Sequence, residues 1–413
     1  MEIRDRSARP SLSAWRFITV FGTVSLLADF VYEGARSITG PLLASLGATG
    51  LVVGVVTGIG EAAALGLRLL SGPLTDRTQH FWTWAIAGYA LTIVTVPILG
   101  LAGSLWVACG LVIAERIGKA IRSPAKDTML SHAASVTGRG RGFAVHKALD
   151  QIGAVIGPLT VAGVLAATGD DYGPALGVLA IPGAAALALL LWLRLRVPEP
   201  AGYETGGPSE TAASTPVWDA SPRPPLPAAF WAYSAFVAIT MIGFSTFGVL
   251  SFHMVTDGIF SAAAVPLVYA AAMGADAVAA LASGWAYDRI GPKTLVALPI
   301  ISALVPVVAF SDQAWLAVAG ALLWGAAVGI QGSTLRAVVA DLVGPSRRAT
   351  AYGVFAAGLG VATAAGGALT GWLYDTSLPA LIITVFVIQL AALGFAAGAL
   401  LSRRHRASRR GGR

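Results

Sequence analysis

The chain has 413 residues, of which 56% are hydrophobic and only 12% are charged, and a formal net charge of +7. Soluble domains carry about 25% charged residues, so this composition excludes an ordinary soluble fold and points to a chain surrounded by lipid. A single cysteine, Cys109, and five scattered histidines exclude an intramolecular disulfide, a cysteine-cluster metal site and any metal-ligand spacing; no cofactor or metal is expected.

Twelve apolar runs, each of about the 20 residues needed to cross a bilayer, follow in order. They lie near 15–46, 50–71, 80–102, 104–127, 140–168, 173–195, 228–255, 261–284, 293–311, 313–340, 347–374 and 378–401. Their richness in Gly and Ala suits close helix packing in lipid. The first 14 residues are polar and basic, and the run after them is too long for a signal peptide, so the first helix is expected to stay.

Charge alternates along the connections. Those around Ala48, Gly103, Asp170 and Asp171, Asp257, Asp312 and Asp375 lack Lys and Arg. The others carry Arg77; Arg139 and Arg141; Arg196 and Arg223; Arg289; and Arg347 with Arg348. Arg4, Arg6 and Arg9 at one end and "SRRHRASRRGGR" at the other belong with this basic set. The positive-inside rule then predicts a multi-pass protein of the inner (plasma) membrane with both termini in the cytoplasm. The basic excess is thereby explained without nucleic acid as a partner. Residues 197–227, rich in Pro, Ser, Thr and Gly, read as a flexible cytoplasmic linker between a six-helix bundle at 1–196 and a second at 228–402, with a basic tail at 403–413.

The two parts repeat each other. "SGPLTDR" (Ser71 to Arg77) after the second run returns as "SGWAYDR" (Ser283 to Arg289) after the eighth. "RSPAKD" (Arg122 to Asp127), which ends the fourth, returns as "RAVVAD" (Arg336 to Asp341), which ends the tenth. On these residues the whole chain resembles the major facilitator superfamily. Its signature after helix two is matched by Gly72, Asp76 and Arg77, and the second copy by Gly284, Asp288 and Arg289, with Pro73 and Trp285 departing from the usual small residues. The resemblance implies an all-α membrane fold of two six-helix bundles and a cytoplasmic gate. There the glycine brings two helices together, and Asp and Arg form a breakable latch with Arg122, Asp127, Arg336 and Asp341. Arg116 matches the family's intramembrane arginine, although Ala120 stands where a glycine is usual. Gly153, Gly157 and Pro158 match a motif that the family associates with exporters.

Ionisable residues inside the membrane are costly and mark function by default. They crowd into the first half: Asp29, Glu33 and Arg36; Glu61 and Arg68; Glu115, Arg116 and Lys119; Lys147 and Asp150. Asp29 and Glu33 share a helix face, and Arg36 follows Glu33 by three. A buried carboxylate beside Arg or Lys can alternate between a paired ionised state and a protonated one as its access to water changes. Asp29, Glu33, Asp150, Glu61 and Glu115 are the expected proton-coupling acids, with Lys147 as the local cation for Asp150. The resemblance implies that helices one, four, seven and ten line the cavity, with Tyr32, Arg36, Arg116, Lys119, Trp231, Phe244 and Gln331 as candidates, beside Phe247 and Trp324. An enzyme would need a nucleophile–base pair or metal ligands at one depth, and Cys109 and His253 supply neither. The expectation is a monomeric, proton-coupled exporter of a small organic solute working by alternating access, with proton- or sodium-coupled uptake, or uniport, of a small organic anion or metabolite on the same fold as the alternative.

Overall fold

The computed structural model describes residues 11–206, 225–344 and 347–410. They form α-helices throughout, with two short 3-10 turns at Pro200–Gly206 and Gly291–Val296. The first half holds α1 (Ala14–Ser37), α2 (Thr39–Ser45), α3 (Gly50–Gly66), α4 (Arg68–Thr78) and α5 (Phe81–Leu99). It continues with α6 (Leu105–Thr137), α7 (Arg139–Thr168), α8 (Tyr172–Gly177) and α9 (Ala180–Arg196). The second half holds α10 (Ala228–Ile242), α11 (Phe247–Thr256), α12 (Val265–Ile290), α13 (Ala297–Ala309), α14 (Ala314–Leu342), α15 (Arg348–Thr376) and α16 (Leu378–Arg410). Among the described residues, ten helical stretches are long and apolar enough to cross a membrane. The linker residues 207–224, the first ten residues and the last three of the basic tail lie outside the described residues.

Local chemistry sets the helix starts. Ser13 Oγ accepts from the Arg16 N–H at the start of α1, and Thr49 Oγ1 from the Val52 N–H at the start of α3, where the first N–H groups have no helical partner. Ends are equally local: Gln79 at φ 55° closes α4, and Gly291 at φ 64° closes α12. Both repeated heptapeptides therefore lie inside helices, in α4 and α12, and not in the connecting turn that the sequence suggested. Pro73 sits six positions into α4, beyond the first turn, so the helix continues there without the backbone hydrogen bond to Leu69.

Within the first half, α1 packs along α7 and α5 along α6; in the second, α12 packs along α14. The halves meet through α3 against α15, α7 against α12 and α2 against α11. Small residues allow these approaches: a Cβ on Gly54 would lie 2.0 Å from the Gly367 carbonyl oxygen, and one on Gly371 would lie 2.3 Å from that of Gly50. Where those backbones touch, Asp375 accepts from the N–H groups of Gly50 (2.7 Å) and Leu51 (2.8 Å), capping α3 from the other half. Nearby, Asp170 accepts from the Ala263 N–H at 2.9 Å. The end of the molecule carrying Asp170, Asp257 and Asp375 is closed.

At the opposite end the start of the expected linker is docked. Tyr203 is buried against Phe17, and its hydroxyl donates to the Leu12 carbonyl at 2.9 Å. Burial pushes that hydroxyl's pKa up to about 12. Trp82 Nε1 donates to the carbonyls of Val197 (3.1 Å) and Pro198 (3.0 Å). Residues 197–204 are thus part of the fold: their two aromatic partners outweigh a Pro- and Gly-rich composition.

Candidate functional site

The centre of the molecule is a cluster of buried charges from α1, α3 and α6. Arg36 Nη2 lies 2.7 Å and Arg116 Nη1 3.0 Å from the same oxygen, Glu61 Oε1. Arg116 Nε is 3.2 Å from Glu115 Oε2, and Arg36 Nη1 is 3.8 Å from Glu33 Oε2. Both guanidiniums also donate to the Tyr32 hydroxyl. Lys119 Nζ sits 3.9 Å above the centre of the Tyr32 ring, a cation held on a π face. Gly60 makes the arrangement possible, because a Cβ there would be 2.9 Å from Arg116 Cγ and would block the path of that side chain toward Glu61.

The second half answers with aromatic rings. Tyr269 on α12 donates to Glu33 Oε2, linking the halves through an acid. Its ring meets Phe247 edge-on at 4.6 Å, and Phe247 lies 5.2 Å from Trp324. Trp324 Nε1 donates to the Ser245 carbonyl at 3.0 Å, and Phe244 stacks on Trp324 at 6.4 Å. Arg36 faces this wall, its guanidinium carbon 5.9 Å from the Trp324 ring centre. Between charge and rings lies a small cavity of about 20 Å³, lined by Arg36, Thr39, Thr57, Glu61, Arg116, Thr246, Phe247 and Gly248. That volume admits about one water molecule. Two of the lining residues, Thr57 and Thr246, share a hydrogen bond of 2.8 Å across the halves.

A second polar group lies within the first half, toward the Arg77 end. Asp29 Oδ1 is 3.7 Å from Arg122 Nη2, whose other nitrogen donates to Thr92 Oγ1 at 3.0 Å. His146 Nε2 is 3.1 Å from Lys126 Nζ, 3.3 Å from Ser25 Oγ and 3.7 Å from Asp150 Oδ1.

The structure brings together Tyr32, Glu33, Arg36, Glu61, Glu115, Arg116 and Lys119, with Phe244 on the facing wall. Others fall elsewhere. Asp150 does not face Lys147, which is exposed; its buried carboxylate faces His146 one turn back. Arg68 donates to the Ala64 carbonyl at 3.0 Å instead of pairing with a buried acid. Trp231 is 53% exposed on α10 because its neighbour Phe230 takes the inward face. Gln331 is half-buried and borders neither central cavity.

The residues expected to form a gate are not joined to one another in this structure. Asp76, Arg77, Asp288 and Arg289 are exposed, and Arg289 stacks 3.8 Å over Trp285. A Cβ on Gly72 or Gly284 would meet nothing, so neither glycine holds a close helix contact here. The Arg122 and Arg336 pair is also unequal: Arg122 is buried beside Asp29 while Arg336 is exposed, as are Asp127 and Asp341. Gly153 and Gly157 do make a close contact, since a Cβ on either would lie 2.2 Å from the carbonyl oxygen of Leu26 or Phe30 on α1. Reading the sequence missed Tyr269, Thr57, Thr246, His146 and Lys126, whose partners are remote in the chain. Gly60, one residue before Glu61, and Gly248, two residues after Thr246, were local signals of a close approach.

The sequence profile described as the Major Facilitator Superfamily matches residues 24–275 and 234–413. The chain belongs to that superfamily. It is 69% identical over 396 residues to an uncharacterized protein of Mycobacterium tuberculosis (strain ATCC 25618 / H37Rv), with 94% of each chain covered. In fold it is similar to a mutant of the nucleoside transporter NupG, with a TM-score of 0.73 at 14% identity, covering 92% of this chain and 99% of that one. It is also similar to a bacterial homologue of the human lysosomal transporter Spinster in an inward-facing, unoccupied conformation, with a TM-score of 0.72 at 15% identity, covering 94% and 97%. The protein is a multi-pass membrane protein and a secondary transporter, not an enzyme.

Proposed function

We propose that this transporter couples the movement of a small organic solute to protons by alternating access, and that solute and proton enter the cell together. The observation that carries the reading is Glu61 Oε1 shared by Arg36 and Arg116 beside a cavity between the halves. A solute that takes over the two arginines frees Glu61 to accept a proton, so both ligands occupy the same state of the protein and travel in the same direction. Glu33 is the second coupling acid, because its bond to Tyr269 must change whenever the halves move. Asp29, Glu115 and Asp150 are the further acids through which a proton could pass.

The ten apolar stretches amount to twelve crossings on this reading. Val265–Ala309 has 45 residues, which as helix extend about 68 Å and cross a ~30 Å core twice, turning at Gly291. The helix α6 adds the last crossing; Glu115, Arg116, Lys119 and Arg122 lower its hydropathy but face inward. With the basic connections in the cytoplasm, the closed end faces outward, and this conformation is open inward. The gate of Gly72, Asp76, Arg77, Gly284, Asp288 and Arg289 would then assemble only when the inner end closes. We place the protein in the inner membrane, acting as a monomer.

A second reading, export in exchange for protons, is supported by Gly153, Gly157 and Pro158, although the two glycines also serve the contact of α7 with α1. Proteoliposomes containing a pH dye separate the readings. Solute added outside should acidify the lumen under co-transport and alkalinise it under exchange; no proton movement with any transported solute would sink both.

A further inference from the structure

We infer that the site selects an organic anion, a carboxylate or phosphate carrying a planar apolar group, and that Glu61 is the internal carboxylate it replaces. The inference rests on the proton-coupled reading above and names its substrate class.

Two guanidiniums from different helices, α1 and α6, converge on one carboxylate oxygen. Each guanidinium places one nitrogen on that oxygen, and two charge-assisted donors aimed at one point suit the oxygen of a ligand carboxylate or phosphate as they suit Glu61. Thr39, Thr57 and Thr246 supply hydroxyls around the same cavity. The opposite wall is Phe247 with Trp324 and Tyr269 behind it, an apolar face that a flat body reaches only when the halves part and enlarge a cavity that here holds about one water. An organic cation would face Arg36, Arg116 and Lys119 together. A neutral solute cannot take the place of Glu61 between two charges.

Charge balance then requires the proton. Around Glu61 stand Tyr32, Glu33 and Arg36 on α1, Glu115, Arg116 and Lys119 on α6, Arg68 on α4 and Tyr269 on α12. The helices α11 and α15 contribute Gly248, Phe247 and the backbone near Ala364, none of them ionisable. The three central bases, Arg36, Arg116 and Lys119, balance Glu33, Glu61 and Glu115. A bound anion adds one uncompensated negative charge in a site of low dielectric. Glu61 is the acid that loses its partners to the anion, so it takes the proton from the side then open. It returns the proton to the other side when the anion leaves and the arginines close on it again.

The test is thermal unfolding of the purified protein with benzoate, phenyl phosphate, neutral benzamide and cationic benzylammonium, each at millimolar concentration, between pH 5.5 and 8. The anions should stabilise the protein, their affinity falling up to about tenfold per pH unit as one linked proton is lost. Benzamide and benzylammonium should not. Glu61→Gln should bind benzoate with little dependence on pH, and Arg36→Lys should weaken the anions about tenfold, since a single ammonium cannot hold the anion and the Tyr32 hydroxyl as the planar guanidinium does. Should Glu61→Gln fail to fold, Arg36→Lys and the wild-type pH series carry the test. Equal stabilisation by benzamide or benzylammonium, no response to any anion, or an unchanged pH dependence in Glu61→Gln overturns the inference. Dye-reported proton flux in proteoliposomes keeps the two claims apart. Flux driven by benzamide leaves proton coupling standing and removes the anion; anion binding without flux does the reverse.

Discussion

Tyr269 and Glu33, 236 positions apart in the chain, are joined by a hydrogen bond from the tyrosine hydroxyl to Oε2 of the carboxylate. The tyrosine stands on α12 and the glutamate on α1, so the bond ties one half of the transporter to the other through a candidate proton carrier. A hydrogen bond to a charged group contributes about 1.5–3 kcal/mol. Tyr269→Phe should therefore shift the conformational equilibrium by roughly ten- to a hundredfold away from the state described here. Double electron–electron resonance between labels on the two halves would read the shift, and an unchanged distance distribution would remove Tyr269 from the coupling mechanism.

Glu33→Gln should abolish accumulation driven by a pH gradient while sparing counterflow, which needs no net proton movement. The same split is expected for Asp29→Asn and Asp150→Asn if their protons lie on the path. Arg116→Ala should impair both assays, because it removes partners of Tyr32, Glu61 and Glu115 at once. Full gradient-driven accumulation in all three acid variants would make these carboxylates structural.

Asp375 latches the closed end by accepting two N–H groups at the start of α3, where the helix dipole adds to the attraction. Asp375→Ala should open that end more often. In a Cys109→Ala background, Thr246→Cys lies under the closed contact and should react with a membrane-impermeant maleimide several-fold faster when Asp375 is removed. Equal rates would mean that the backbone contacts alone hold the end shut.

Those backbone contacts have their own signature. Gly54→Leu cannot be accommodated, since even its Cβ would stand 2.0 Å from the Gly367 carbonyl oxygen. The variant should lose turnover yet keep the Thr246→Cys site open to external maleimide, as a protein unable to close that end. Normal transport by Gly54→Leu would exclude the close contact of α3 with α15 from the cycle.

The repeated motif should act in the opposite state. Asp76→Asn and Asp288→Asn should each slow turnover with affinity kept within a few-fold, because the proposed latch would act on which end is closed and these exposed side chains do not touch the cavity. Unchanged maximal rate with lost affinity would count against a latch. The orientation behind this has a direct check: in the same Cys109→Ala background, external maleimide should label Asp257→Cys but not Glu210→Cys in intact cells.

Much of this protein was legible in the residues themselves. Apolar run length, the alternation of Arg-bearing connections and the two copies of Ser-Gly-x-x-x-Asp-Arg depend on local composition and spacing, and lipid leaves a long apolar segment little choice but helix. The crowding of charge into the first half was equally plain, because an ionisable residue in an apolar run announces itself. Which charges meet was not. Arg122 reads as a gate residue by its spacing to Asp127, yet the packing of α1, α5 and α6 buries it beside Asp29. Lys147 reads as the partner of Asp150, yet helix rotation turns one outward and the other toward His146. Tyr269, Thr246 and Asp375 carry no sign of their partners, because those partners lie across the interface between halves. Sequence determined the elements and the chemistry available; only the tertiary structure decided the pairings, since an ion pair or a cap depends on where two distant helices cross.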